Sequence, residues 1–336
     1  MSASEEFKTN VEECFEHYSL PGNSGLQEKE FAEFLAHLFT DYNETIDRAL
    51  IRTQLFTQFD VDHDGKIDLI EFKNMWSKWV ATVLQPKSAI VVVDVQNDFI
   101  SGTLALGNCP AGEDPNRIIP VVNSLTKLPW RMVVYTYDWH PENHISFYEN
   151  RKNRPVHHSS NVTAEEAKLQ NTIRYLAPSL QSGFYEQILW PRHCVQRTWG
   201  AELHAGIILR NGSHKIFKGT NPELDSYSAF WDNSKLASTS LDSDLHAVGV
   251  TDVYVCGLAT DVCVGSTALH ALELGYRTVL VEDACCGVAV ESIQDVKAKL
   301  LAQHAVITTS DKVSDMVNAT TRPLAAGIKL ASSIVQ

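Results

Sequence analysis

The chain has 336 residues, of which 44% are hydrophobic and 21% charged, and carries a formal net charge of −13 at pH 7. This is the composition of an ordinary globular protein with room for two or three domains, and its acidic balance argues against nucleic acid or an anionic membrane as the main partner. No apolar run approaches the roughly 20 residues that span a bilayer, and the N-terminal M-S-A-S-E-E-F-K lacks the apolar stretch of a secretory signal.

The seven cysteines are odd in number and scattered, mostly within apolar runs. That usage predicts reduced thiols and a cytoplasmic protein, with a nuclear share left open, and it gives the four N-x-S/T matches (Asn43, Asn161, Asn211, Asn318) no role. Adjacent Cys285 and Cys286 read as strand-end packing.

The first specific motif begins at Asp60, D-V-D-H-D-G-K-I-D-L-I-E. Asp60, Asp62 and Asp64 stand at positions 1, 3 and 5 of a twelve-residue loop, with Gly65 at 6, Ile67 at 8, Asp68 at 9 and Glu71 at 12. This resembles the EF-hand at every diagnostic position. The resemblance implies one calcium ion held by the three aspartates, the Lys66 carbonyl, Asp68 through water, and both oxygens of Glu71. Ile46, Leu50, Leu55, Phe56 and Phe59 before the loop, and Phe72, Met75, Trp76 and Trp79 after it, give each flanking helix one apolar face. Upstream, Ser19 to Phe31 fits a second loop with Leu26 at position 8 and Glu30 at 12. Ser19, Pro21 and Asn23 then replace its aspartates, so this hand is degenerate and structural. The expected organisation is an EF-hand pair over 1–82, a linker over 83–88 where Pro86 ends the helical period, and a second domain over 89–336.

From residue 89 strands and helices alternate. Strands are expected at Ala89–Asp94, Met132–Tyr137, Ile216–Phe217, Val253–Cys256, Thr278–Glu282 and Val306–Ile307, and helices near 116–128, 262–274 and 291–303. Such alternation predicts an α/β fold, a parallel sheet with helices on both faces, behind a small all-α EF-hand domain. Functional groups in such sheets gather at the carboxyl ends of strands. No glycine-rich phosphate loop follows the first strand, which argues against a dinucleotide fold. The polar interval 141–189 reads as an insertion over the pocket.

Thr251 to Gly275 is the stretch on which the rest turns. Val253–Cys256 is a strand, Asp261 is the expected N-cap of the following helix, Gly275 its left-handed stop, and Cys263 falls in the first turn. Unpaired first-turn amides favour a thiolate. Lowering a thiol from about 8.5 to about 6.5 needs roughly 2.7 kcal/mol, however, and a helix terminus supplies about 0.3–1 kcal/mol, up to about 2 when partly buried. A cation is therefore required. Lys218, after the short strand in I-F-K-G-T, is the candidate cation, and Asp94, closing the first strand, is the candidate base. Asp138 and His140 close the next strand in T-Y-D-W-H-P, and His193 lies in W-P-R-H-C-V. One carboxylate and two imidazoles with open positions suit zinc or a similar ion. His144, His157 and His158 are left as surface or supporting residues.

Five ordered blocks carry a further resemblance: V-V-V-D-V-Q-N-D-F-I-S-G-T-L-A-L, Y-T-Y-D-W-H-P-E-N-H-I-S-F, I-L-W-P-R-H-C-V, K-G-T-N-P-E-L-D-S-Y-S-A-F and V-C-G-L-A-T-D-V-C-V-G-S-T-A. Over about 89–310 the chain resembles the cysteine hydrolases of the isochorismatase-like superfamily, the nicotinamidases above all, in the animal arrangement with an EF-hand domain ahead. The resemblance implies a triad at Asp94, Lys218 and Cys263 and a metal, usually zinc, at Asp138, His140 and His193. It also implies a cis bond between Leu258 and Ala259, oxyanion donors at the Ala259 and Cys263 amides, and ring contacts from Phe99 and Trp190. The implied reaction is hydrolysis of nicotinamide to nicotinate and ammonia through a thioester, feeding NAD salvage, with the pyridine nitrogen on the metal. Another heteroaromatic amide or carbamoyl hydrolase, and a calcium-binding protein with an inactive hydrolase domain, stay open, as do calcium responsiveness and a homo-oligomer.

Overall fold

The computed structural model describes residues 11–19, 24–43, 55–177 and 180–334. Pro21 and Asn23 of the degenerate loop, and Ile46 and Leu50 of the helix before the calcium loop, lie outside the described residues.

Six parallel strands form the central sheet. They are β3 (Ser88–Val93), β4 (Met132–Asp138), β7 (His214–Lys218), β8 (Asp252–Leu258), β9 (Arg277–Cys286) and β10 (Val306–Thr308), in the order β10-β9-β8-β3-β4-β7. The unbroken apolar run of β3 is buried at every position, as a strand covered on both faces requires. The chain builds outward from β3 through β4 to β7, then returns to β8 on its other side. The carboxyl ends of β3 and β8 thus meet where the winding reverses, the usual place for a site in an open parallel sheet.

The described residues of the interval 141–189 carry regular structure. They form an antiparallel hairpin of β5 (Thr172–Leu176) and β6 (Phe184–Ile188) over a small core that includes Ile145, Ile173, Tyr175 and Leu189. The expected helix at 116–128 is shorter, a 3₁₀ turn at Pro115–Arg117 followed by Ile118–Leu125; Pro129 disfavours helical geometry at Leu128.

In the N-terminal module, β1 (Gly25–Leu26) pairs antiparallel with β2 (Ile67–Asp68), joining Leu26 to Ile67, the eighth positions of the two loops. Phe31, Phe34, Phe59, Phe72 and Trp79 fill its core. That core also takes in Leu324, Ile328 and Ala331 from the last helix, Leu324–Ile334, so the end of the chain packs against the module at its beginning.

Candidate active site

Asp94 stands one residue past β3 with φ +47, a left-handed conformation that aspartate tolerates better than most side chains. It is fully buried, and one carboxylate oxygen accepts the Thr136 hydroxyl at 2.5 Å. The Lys218 ammonium lies 2.8 Å from its other oxygen, 2.9 Å from Asp138 Oδ1 and 3.3 Å from Cys263 Sγ. Lysine therefore joins the acid, the thiol and the second carboxylate in one desolvated cluster, with the Ser226 carbonyl accepting a further N–H.

Burial opposes the ammonium, but Asp138 and then Asp94 outweigh it and hold Lys218 well above its ordinary pKa. Burial raises the Asp94 pKa, and Lys218 only partly offsets this. The Cys263 thiol is also pushed well above its usual value by burial, with Asp94 and Asp138 reinforcing the effect against Lys218. The cation that the sequence reading requires is present, and the sulfur shares it with two carboxylates.

Asp138, His140 and His193 gather with their ligand atoms within 4.8 Å of one another, all buried. Each imidazole Nδ1 faces a backbone carbonyl, Gly219 at 2.9 Å for His140 and Pro191 at 2.7 Å for His193, which turns both Nε2 atoms toward Asp138 Oδ2. This is the orientation a metal-binding histidine needs, with the outer nitrogen anchored and the inner one presented. Gly219, at φ +64, permits it, because a Cβ there would run into the His140 ring. Burial opposes the Asp138 charge, yet His140 and Lys218 hold its pKa well below the carboxylate range. Here the residues fit a divalent ion of the zinc class. His144, expected at the surface or in support, is fully buried and stacked on His140 with ring centroids 3.8 Å apart.

A pocket opens beside these groups, lined by Phe99, Trp190, Tyr227, Ala259, Val262 and Cys263, with Asp138, His193 and Asp225 also reaching it. Its lining of aromatic and apolar side chains around a few polar groups suits a small ring compound. Phe99 and Trp190 both face it, and the Leu258–Ala259 bond is cis. Cys263 lies in a π-turn, Thr260–Val264, which leads into the helix Gly265–Glu273; Gly275 takes φ +92 as the stop.

Asp261 does not cap its own helix, where Ala259 holds the N-cap position. Its carboxylate instead accepts from the amides of Val288 at 2.8 Å and Ala289 at 3.0 Å and from the Ser292 hydroxyl, at the start of helix Val290–Ala302. Its neighbourhood to a capping-type helix start misled the local reading; the orphan amides it satisfies belong to a segment far along the chain.

Sequence reasoning also passed over Gln96, whose amide brackets the Asp138 backbone, and Asp98, which accepts the Cys194 amide at 2.7 Å and so holds the His193 loop. Thr136 was passed over too. Thr136, Gln96, Asp98, Asp225 and Tyr227 all lie in the quoted blocks.

In the calcium loop, Asp60, Asp62 and Glu71 bring ligand atoms within 4.8 Å. Asp60 is 6% exposed, and its Oδ1 is buried with no partner, an orphaned acceptor aimed where a cation would sit. Glu71 reaches back to the Val61 and Asp68 amides. Asp64 bonds instead to the Lys66 amide, with the Lys66 ammonium 3.3 Å from its carboxylate, and Asp68 caps the next helix through the Ile70 and Glu71 amides. Three of the proposed side-chain ligands therefore converge, and two serve the loop itself. The loop fits a hard divalent cation.

The isochorismatase domain family model matches residues 88–312, and an EF-hand model matches 51–76. A nicotinamidase of Acinetobacter baylyi is 37% identical over 216 residues, 64% of this chain and 88% of its own. Among solved structures, a nicotinamidase/pyrazinamidase of Acinetobacter baumanii superposes with a TM-score of 0.57 at 37% identity, covering 68% of this chain and 98% of that one. Yeast nicotinamidase bound to the inhibitor nicotinaldehyde superposes with 0.56 at 32% identity, covering 66% and 99%.

Proposed function

The chain belongs to the isochorismatase domain family, and from that premise we propose that it is a nicotinamidase, hydrolysing nicotinamide to nicotinate and ammonia for NAD salvage. The observation that carries this reading is the contact of one lysine with both an acid and a thiol, 2.8 Å from Asp94 and 3.3 Å from Cys263, at the edge of a pocket lined by Phe99 and Trp190.

Asp94 accepts the Cys263 proton as the sulfur forms a bond to the carboxamide carbon, while Lys218 balances the charge that passes between acid and sulfur. The amides of Ala259 and Cys263 receive the oxyanion. Asp94 returns its proton to the departing nitrogen, the C–N bond breaks, and ammonia leaves behind a thioester. Water then gives a proton to Asp94 and adds its oxygen to the thioester carbon; the C–S bond breaks, and the proton returns to sulfur. Phe99 and Trp190 hold the ring between them and the walls of the pocket. Asp138, His140 and His193 would hold the metal, which when bound supplies a Lewis-acidic position for a ring nitrogen or a water.

In the N-terminal module, Asp60, Asp62 and Glu71 would hold calcium. No helix among the described residues is long and apolar enough to cross a membrane. Ammonia release from nicotinamide tests the proposal, together with mass spectrometry of protein quenched during turnover. A nicotinoyl adduct on the peptide containing Cys263 is the expected result. An active enzyme whose Cys263→Ala variant turns over equally well would overturn it.

A further inference from the structure

The helix leaving the calcium loop is continuous in its reach. Glu71 lies in Leu69–Met75, a π-helical stretch Trp76–Val80 follows, and Ala81–Leu84 completes it. Trp79, fully buried on this path, donates its indole N–H to the Gly327 carbonyl of the terminal helix at 2.8 Å. Gln58, just ahead of the loop, donates to the Ala331 carbonyl at 2.5 Å. Both flanks of the loop thus hold Leu324–Ile334, which lays Leu324, Ile328 and Ala331 into the module's aromatic core.

The helix is fixed at its start as well. Asp41 accepts the Leu324 amide at 2.7 Å, and the buried Arg322 guanidinium donates to the Leu38 and His37 carbonyls. At Gly327 the fit is close enough that a Cβ would enter the Phe39 ring. An apolar helix face seated among aromatics, with polar anchors at its ends, is how an EF-hand pair holds a target helix.

We propose that the EF-hand module is the receptor for the chain's own C-terminal helix, and that calcium on the Asp60–Glu71 loop and docking of Leu324–Ile334 strengthen one another without changing turnover. This rests on the calcium reading given above. The twelfth ligand position fixes the start of the very helix that carries Trp79, so cation binding and the indole contact set the same element. Reciprocity follows, since whatever calcium adds to docking, docking adds to calcium affinity.

Turnover is spared because of where the module sits. Thr82 accepts from Arg277, the first residue of β9, while Asp94, Lys218 and Cys263 stand at the opposite strand ends. The length of β3 puts about 20 Å between the two ends.

The test uses the full chain, stripped with chelator and titrated with calcium by calorimetry, alongside Gly327→Ala and Trp79→Phe. The wild type is expected to bind calcium, and both variants to bind it more weakly, Gly327→Ala by about 5-fold or more. Calcium should slow hydrogen exchange at 324–334 in the wild type, and kcat for nicotinamide should be equal with and without it. Far-UV circular dichroism and near-UV aromatic signals matching the wild type in excess calcium show that the module of each variant has folded, and Trp79→Phe carries the test if Gly327→Ala does not fold. Equal calcium affinity in all three proteins with unchanged exchange at 324–334, or a kcat that follows calcium occupancy, overturns the linkage. Absence of calcium binding in the wild type overturns the calcium reading itself, and the linkage with it.

Discussion

The calcium loop draws its candidate ligands from one segment, Asp60 to Glu71, whereas the buried centre takes Asp94, Asp138, Lys218 and Cys263 from the ends of four different strands. Both concentrate acids, yet water reaches most of the loop, and Asp62 and Asp64 are exposed. At the sheet, Asp94, Asp138 and Lys218 are all at least nine-tenths buried. Coulombic effects are screened in the first and strong in the second. On the function proposed above, the loop is a place where a cation exchanges with solvent, and the centre is one where a proton moves among fixed partners.

If that contrast holds, the largest effect belongs to the sulfur. Cys263→Ala should lower kcat/KM for nicotinamide by about 10³-fold or more, while the thermal transition stays near that of the wild type, because the variant removes only one atom from a packed turn. Ammonia release and calorimetry check the two halves. Comparable turnover would mean that the buried cluster is structural.

Lys218→Met sharpens the same point by leaving two buried carboxylates facing each other. Removing one partner of such a cluster costs about 3–5 kcal/mol, so both activity and stability should fall. The pH dependence separates the carboxylates. The Asp94 pKa is raised, so the folded chain holds that proton to higher pH than the unfolded chain, and this group's contribution to stability declines as pH rises from the ordinary carboxyl value to the raised one. Asp138 is depressed, so its contribution is present above the ordinary value and is lost as pH falls through the depressed one. Because catalysis needs Asp94 able to accept a proton, kcat/KM should fall on the acid side at a pH above that of an ordinary aspartate. A rate profile limited at an unperturbed carboxyl pKa would break this assignment.

What could be read in the sequence follows the same division. The EF-hand loop was legible as a motif, since its acids are neighbours and its glycine sits where the turn requires one, but not that Asp64 and Asp68 bond within the loop while Asp60, Asp62 and Glu71 converge. The sheet was legible as alternation, and Asp94 and Asp138 as candidates, because β3 and β4 are largely apolar runs that give way to an acid at the carboxyl end. The sharing of Lys218 between two carboxylates was not legible. It is set by the adjacency of β3, β4 and β7 in space. Nor did the letters reveal that Asp261 caps a helix beginning at Val290, or that the final helix packs with the first module. Both depend on contacts between distant segments, for which local periodicity holds no signal.

Asp261 offers a smaller, more discriminating effect. Its carboxylate fixes the turn bearing Cys263 to the loop that places Val288 in the pocket, so Asp261→Ala should lower kcat more than it raises KM. A misplacement of the nucleophile by about 1 Å is worth up to about 10²-fold in rate, while losing a cap costs about 1 kcal/mol of stability. Asp261→Asn, which keeps one acceptor, should recover part of kcat. A drop in melting temperature with unchanged kcat would leave Asp261 with the cap alone.

The smallest effect on activity, and the sharpest on the contrast, is expected at Asp60. Its Oδ1 is a buried acceptor with no hydrogen-bond partner, held near Asp62 and Glu71, so these carboxylates would repel one another in the absence of a cation. Asp60→Asn removes one of these charges and adds a donor. In chelator the variant should therefore melt at or above the wild-type temperature. In excess calcium the order should reverse, because a ligand at about 100 times its Kd stabilises the form that binds it by about 2.7 kcal/mol, and the variant forgoes most of this. Turnover of nicotinamide should be the same for both proteins in both solutions. A crossing of melting temperatures with no crossing in kcat is what a cation-exchanging loop remote from the proton-moving centre demands; melting curves that keep one order in both solutions would mean that Asp60 is held by the fold and not by an ion.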